Sequence, residues 1–180
     1  MKSNDDAGSL ALPSLSPAPS VLIVAAPYYQ AIINDLISGA KAVLAQAGAT
    51  VDVVEVPGAL EIPTAIRLAQ KHYEGFVALG CVIRGETTHY DTVCNDSSRA
   101  LALLGLDGLC IGNGILTCEN MEQAQVRAAP GEMDKGGGAA AAAVHLVSLA
   151  RRFRIAPDPG PVPGEDDILL AGGTGLTRTA

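Results

Sequence analysis

The residues best suited to chemistry lie in one stretch, Gly80–Asp91, which reads G-C-V-I-R-G-E-T-T-H-Y-D. It begins at the end of an apolar run, Phe76–Leu79, of the kind that forms a strand buried on both faces, and Gly85 predicts the end of that strand. Ligands of open parallel α/β sheets bind just outside the carboxyl ends of the strands, so a binding site is expected here. Backbone N–H groups near Gly85, with the Thr87 or Thr88 hydroxyl, can bind an anion, and His89 is the first candidate for proton transfer near neutral pH. The alternative interpretation is a solvated polar loop.

Three further loops are expected at the same edge of the sheet. Ala26–Tyr29 offers an aromatic face for a planar ring, and a tyrosine packed at a helix start fits the sequence equally well. Pro57–Glu61 offers backbone N–H groups and a carboxylate for a polyhydroxyl chain, or simply a capping glutamate. Asn113–Thr117 is the last of these loops. Two cations, Arg127 and Lys135, have no assigned partner, and Arg127 also fits a solvated charge at a helix end.

Composition and charge restrict the classes of function. The chain has 180 residues, 48% of them hydrophobic, which suffices for one domain with a substantial core. Its formal net charge of −7 argues against a nucleic-acid surface, which needs clustered Lys and Arg. No apolar run reaches the ~18 residues that span a membrane, and no secretory signal is recognisable, so we expect a cytoplasmic protein. The four cysteines (Cys81, Cys94, Cys110 and Cys118) lack metal-ligand spacing and are interpreted as buried, reduced thiols.

Between two tails, apolar runs alternate with helical periods. Residues 1–19 are predicted to be a disordered N-terminal arm, and residues 156–180 a disordered acidic tail rich in Pro and Gly. The predicted strands are Ser20–Ala26, Val51–Val56, the strand before Gly85, and a short Leu109–Ile111 closed by Gly112-Asn113-Gly114. The predicted helices are Tyr29–Ala47, a helix from Glu61 to Lys71, Asp91–Leu104, a short helix capped by Thr117, and Gly136–Arg154. This alternation predicts an α/β fold with a parallel sheet and helices on both of its faces.

Several motifs then resemble the lumazine synthase family, in the same order, over about residues 20–155. They are Pro57–Pro63, Gly80–Asp91, Asn113–Asn120 with Glu122–Ala124, and Asp134–Gly137. The resemblance implies a flavodoxin-like three-layer αβα sandwich with a four-stranded parallel sheet. It further implies condensation of 5-amino-6-(D-ribitylamino)uracil with 3,4-dihydroxy-2-butanone 4-phosphate. The products would be 6,7-dimethyl-8-ribityllumazine, phosphate and water, formed without a metal or an organic cofactor.

The resemblance also implies a role for each candidate residue. Tyr28 would stack on the pyrimidine, and His89 would move protons during the condensation. The ribityl chain would be held by Ala59, Leu60 and Glu61. The pyrimidine pocket would be lined by Cys81, Val82 and Ile83, and the phosphate would be bound by Glu86 and Thr87. Asn113, Arg127 and Lys135 would come from the next subunit of a homo-pentamer, with Arg127 pairing the phosphate.

Two positions depart from the family's pattern. Tyr28 follows a proline and stands where the family usually has Phe or Trp, and Asn113 stands where some members carry Phe. They leave open a second hypothesis, a lumazine- or flavin-binding shell protein that has kept the fold without the reaction. The assembly could be a pentamer, a decamer or a sixty-subunit shell.

Overall fold

The predicted alternation of strands and helices is present in a computed structural model, which describes residues 10–155. The strands are β1 (Ser20–Ala25), β2 (Thr50–Glu55), β3 (Gly75–Ile83) and β4 (Cys110–Cys118). The helices are α1 (Gln30–Gln46), α2 (Ile62–Ala69), α3 (His89–Leu106), α4 (Met121–Ala128) and α5 (Lys135–Ile155). Two 3₁₀ turns, Pro27–Tyr29 and Ala59–Glu61, lead into α1 and α2. Within residues 10–155, no helix has both the length and the apolar character needed to cross a membrane.

The strands form one parallel sheet in the order β2-β1-β3-β4. Because side chains alternate along a strand, β1 presents Val21 and Ile23 to one face and Leu22 and Val24 to the other. Helices α1, α4 and α5 bury their apolar residues against the first face, and α2 and α3 against the second. This arrangement confirms the α/β class and is consistent with a flavodoxin-like three-layer αβα sandwich.

Strand β4 corrects the prediction of a short strand ended by Gly112-Asn113-Gly114. It continues through these residues to Cys118 and pairs with β3 along its whole length. The physical reason is the close approach of α5. A Cβ on Gly112 would lie 2.7 Å from the carbonyl carbon of Ala139, well inside ordinary contact. The glycine therefore allows a helix to pack on the strand and does not form a turn.

The starts of α3 and α4 differ from the prediction by two residues or more. α3 begins at His89 rather than Asp91 and runs through Gly105, and the left-handed residue beyond its end is Gly108, with φ of 91°. α4 is capped by Asn120, whose side chain accepts a hydrogen bond from the Gln123 amide at 2.9 Å. The predicted cap, Thr117, lies inside β4. Thr and Asn are both good caps, and the longer strand decides between them.

Part of the predicted N-terminal arm contacts the domain. Residues 10–19 contain no helix or strand, yet Leu12 and Leu15 pack against the core that α1 and α5 share. The Arg151 guanidinium donates a 2.6 Å hydrogen bond to the Pro17 carbonyl. Residues 1–9, and the tail predicted over 156–180, lie outside the described residues, and for them disorder stays a prediction.

Candidate active site

A cavity of about 530 Å³ opens at the carboxyl edge of the sheet, where β1, β2 and β3 end. Three of the four predicted loops meet there. The cavity is lined by Ala26, Tyr28, Tyr29, Pro57, Gly58, Ala59, Leu60, Glu61, Cys81, Val82, Ile83, Gly85, Thr87, His89, Tyr90 and Val93. Nine of the sequence-predicted site residues thus share one cavity. Glu86 lies between two lining residues, Gly85 and Thr87, without lining the cavity itself.

Tyrosines form one wall of the cavity. Pro27 begins the 3₁₀ turn that leaves the Tyr28 side chain 77% exposed. Tyr29 is half-buried against the core, and its ring meets that of Tyr28 edge-on, with centroids 5.0 Å apart and planes at 73°. Burial, with a smaller effect of Tyr28, raises the pKa of the Tyr29 phenol. The arrangement holds Tyr29 in place and leaves the Tyr28 ring free to stack on a planar ligand.

The loop after β2 supplies a carboxylate. Ala59 is buried, whereas Leu60 and Glu61 are exposed. The Glu61 carboxylate turns back over Gly58, where its Oε2 lies 2.9 Å from the position of an added Cβ. Glu61 precedes α2, but within the described chain its side chain makes no capping hydrogen bond to that helix. The carboxylate is therefore available to accept hydrogen bonds from a ligand's hydroxyl groups.

The last residues of β3 form the floor. Cys81 is buried, and Val82 and Ile83 are half-buried. Burial, with a smaller effect of Cys118, raises the pKa of the Cys81 thiol to about 12. Because the thiolate is the nucleophilic form, Cys81 stays an uncharged apolar surface at neutral pH and is not suited to nucleophilic catalysis.

His89 is the first residue of α3, not a loop residue as predicted. Its backbone N–H donates to the Thr87 hydroxyl oxygen at 3.4 Å, and its side chain is exposed. The first turn of a helix has free N–H groups and the positive end of the helix dipole. Gly85, Thr87 and His89 therefore place an imidazole beside a segment suited to bind an anion.

Three predicted site residues lie away from this cavity. Asn113 lies inside β4 opposite Ala78, and its side-chain oxygen accepts a hydrogen bond from the Ile115 amide at 3.0 Å. Arg127, in the last turn of α4, donates from Nη1 to the Gln123 carbonyl of its own helix at 3.0 Å. Lys135 is exposed at the start of α5. The prediction that Asn113–Thr117 is a loop meeting the other three was wrong, because these residues belong to β4.

A second cleft contains Asn113 instead. It measures about 300 Å³ between α3 and β4 and is lined by Cys94, Asn95, Ser97, Ser98, Asn113, Ile115 and Thr117. Across residues 10–155, no group of three or more His, Cys, Asp or Glu side chains is arranged to hold a metal ion. All four cysteines carry free thiols.

Seven lining residues were not among the predicted site residues, and two of them, Tyr29 and Tyr90, carry polar aromatic side chains. Each adjoins a predicted residue, Tyr28 or His89, and a helix start brings both neighbours to the cavity. The only sequence signal for these two tyrosines was therefore that each lies next to a predicted site residue. The sequence pattern indicated only one residue of each adjacent pair, whereas the start of a helix brings both residues to the same edge of the sheet.

Comparison with known proteins identifies the family. The sequence model of 6,7-dimethyl-8-ribityllumazine synthase matches residues 18–151. The chain is 52% identical over 146 residues to the 6,7-dimethyl-8-ribityllumazine synthase of Jannaschia sp. strain CCS1, covering 80% of this chain and 82% of the relative. It is 55% identical over 140 residues to that of Azorhizobium caulinodans, covering 73% and 86%. It is 53% identical over 134 residues to that of Novosphingobium aromaticivorans, covering 73% and 96%. The matched residues include all three loops of the cavity, and the chain belongs to the 6,7-dimethyl-8-ribityllumazine synthase family.

Proposed function

We propose that this chain is a transferase of riboflavin biosynthesis. It condenses 5-amino-6-(D-ribitylamino)uracil with 3,4-dihydroxy-2-butanone 4-phosphate to give 6,7-dimethyl-8-ribityllumazine, phosphate and water. The observation that carries the proposal is the cavity at the carboxyl edge, where Tyr28, Glu61 and His89 converge in a chain of this family. The free thiols support a reducing compartment, and we place the protein in the cytoplasm.

The pyrimidine substrate has a planar ring and a polyhydroxyl chain, and the cavity has a matching surface for each. The Tyr28 ring stacks on the pyrimidine, whose edge lies along Cys81, Val82 and Ile83. Ala59 and Leu60 contact the ribityl chain, and the Glu61 carboxylate accepts hydrogen bonds from its hydroxyl groups. These contacts hold the 5-amino group in place for attack on the second substrate.

The phosphate of the second substrate binds at the start of α3. Backbone N–H groups around Glu86 and Thr87, with the Thr87 hydroxyl, bind its oxygens. The 5-amino group forms an imine with the ketone carbon and water leaves; phosphate is then released, and the ribityl-bearing nitrogen closes the second ring with loss of water. Each step moves protons between nitrogen, carbon and oxygen, and His89 accepts and returns them.

Among the described residues no Lys or Arg lines the cavity: Arg127 and Lys135 lie outside it, and Arg84 at its edge is paired with Asp91 and Glu119. We propose that the site is completed in a homo-pentamer or a larger assembly built from it. Asn113, Arg127 and Lys135 then come from the neighbouring subunit, and the planar Arg127 fork binds the phosphate. The interface is heterologous, since one subunit contributes one side and its neighbour the other.

The role of His89 is tested by His89→Ala, with His72→Ala as the matched control. His72 is also exposed but lies near the start of β3, in a separate cleft. We expect kcat to fall by about 10²–10⁴-fold in His89→Ala, because general acid–base catalysis has that magnitude, and to stay near wild type in the control. A near-wild-type rate in His89→Ala would remove it from proton transfer.

The shared site is tested by mixing two inactive variants, His89→Ala and Arg127→Ala, after joint dissociation and reassembly. An interface that combines the intact His89 of one subunit with the intact Arg127 of its neighbour is active. Random mixing at equal amounts restores about a quarter of the wild-type activity per site, because a heterologous interface is directional. Absence of any recovery in mixed particles would show that each chain builds its site alone.

A further inference from the structure

One arginine at the cavity's edge joins three elements of the fold. Arg84 follows β3, and its Nε lies 2.9 Å from Oε2 and 3.2 Å from Oε1 of Glu119, the residue after β4. Its Nη1 lies 3.2 Å from Oδ1 of Asp91 in the first turn of α3. The guanidinium carbon also stands 4.0 Å from the centre of the Tyr90 ring. One planar group thus contacts the two residues that directly follow His89.

The other side of this arrangement is firmly anchored. The Arg84 backbone N–H donates to the Cys118 carbonyl at 2.9 Å, and the Glu119 N–H donates to the Gln123 side chain in α4 at 3.0 Å. Glu119 is therefore fixed between β4 and α4. Through Arg84, the start of α3 is held against the end of the sheet and not only by its own helical hydrogen bonds.

The contacts are exposed and so contribute little to global stability. Side-chain exposure is 40% for Arg84, 54% for Asp91 and 57% for Glu119. Exposed ion pairs of this kind stabilise a fold only weakly, because solvent and salt screen the two charges. These contacts restrict the position of the α3 start more than they stabilise the fold. A planar guanidinium can bind two carboxylates and stack on a ring at once, which an ammonium cannot.

We propose that Arg84 is a positioning residue for His89. It contacts the Tyr90 ring and the Asp91 carboxylate and thereby fixes the first turn of α3, from which the His89 imidazole lines the cavity. The kinetic part of this inference rests on the proposed function of His89, whereas the structural part does not. Small displacements of a catalytic group lower kcat strongly, because the reaction needs a near-attack geometry.

The test compares Arg84→Gln and Arg84→Lys with Arg99→Gln. Arg99 also lies on α3 and makes an exposed ion pair, with Asp96 at 3.3 Å, away from the cavity lining, so it controls for loss of a charge and a surface pair. We expect Arg84→Gln to lower kcat by about 10–100-fold with a small change in the KM of the pyrimidine. Arg84→Lys should recover little, and Arg99→Gln should match wild type.

A double variant shows whether Arg84 acts through His89. If it does, His89→Ala with Arg84→Gln is no slower than His89→Ala alone, because the positioned group is already absent. Multiplication of the two losses would overturn the inference, as would an unchanged kcat in Arg84→Gln.

Amide hydrogen exchange tests the positioning separately from turnover. We expect the amides of Asp91 and Thr92, which donate to the Thr88 carbonyl at 3.0 and 3.3 Å, to exchange about tenfold faster in Arg84→Gln, with the rest of α3 unchanged. Unchanged exchange there would overturn the inference. If the wild-type protein forms no product but exchange in Arg84→Gln is faster as expected, the proposed function is wrong, whereas the inference that Arg84 fixes the start of α3 is supported.

Discussion

Gly136 is a position at which one added methyl group should disturb the packing of two helices. It is the second residue of α5, and it faces the backbone of α1. A Cβ at Gly136 would lie 2.8 Å from both Cα and C of Leu36, and closer still to its carbonyl oxygen. These are backbone atoms of a helix, so no side-chain rotation relieves the clash. We therefore predict that Gly136→Ala destabilises the fold.

The magnitude follows from the distances. Ordinary contact begins at 3.4 Å, so the Leu36 carbons must retreat by about 0.6 Å, and the oxygen by more. Overpacking of this kind costs about 1–3 kcal/mol. Alanine's better helix propensity offsets up to about 1 kcal/mol of it. We expect Gly136→Ala to lower the free energy of unfolding by about 1–2 kcal/mol.

The matched control is Gly138→Ala, two residues further along the same helix. An added Cβ there meets no atom of the described chain within 4 Å. The control should raise the free energy of unfolding by about 0.5–1 kcal/mol, because it gains helix propensity without a clash. Both are measured by urea unfolding at one protein concentration, since oligomers unfold in a concentration-dependent way. Equal stability of the two variants would refute the reasoning.

Three further predictions follow from single contacts. Asn120→Ala should lower the free energy of unfolding by about 1 kcal/mol, since the Gln123 amide loses its cap; urea unfolding measures it. The hydrogen bond from Arg151 lowers the pKa of the Glu74 carboxyl from its ordinary value of 4.5. The stability that this ion pair contributes is therefore complete above pH 4.5 and is lost as the pH falls through the pKa of the folded state. Glu74→Gln should thus be less stable than wild type at pH 7, with the gap in melting temperature closing in acid; a constant gap would contradict this. With its pKa near 12, Cys81 should resist iodoacetamide at pH 8 in folded protein, and rapid labelling of it by mass spectrometry would count against its burial.

Local patterns were sufficient to predict the three-layer fold. Apolar runs such as Phe76–Leu79 and the helical spacing before Gly48 each encode one element, and Gly48 does adopt a left-handed φ of 69°. The chain direction then places the ends of the parallel strands at one edge, so Tyr28 and His89 could be expected together. For this reason the cavity was predictable at the level of loops.

Long-range packing explains what the sequence could not predict. Gly112 looks like a turn residue, but its role is to admit the backbone of Ala139, a residue distant in sequence. Arg84 is an unremarkable charge until the fold brings Glu119 beside it. The proposed contribution of Arg127 comes from another chain, and no local pattern encodes a neighbouring subunit.

The most direct test of the account is a turnover assay with both substrates, following lumazine absorbance, on protein whose mass is known from light scattering. We predict product formation by a pentamer or a larger particle. No product from a well-assembled particle that still binds a lumazine analogue would contradict the proposed reaction. That result would favour a binding shell with the same fold, and Tyr28→Phe and Asn113→Phe would be the first substitutions to make.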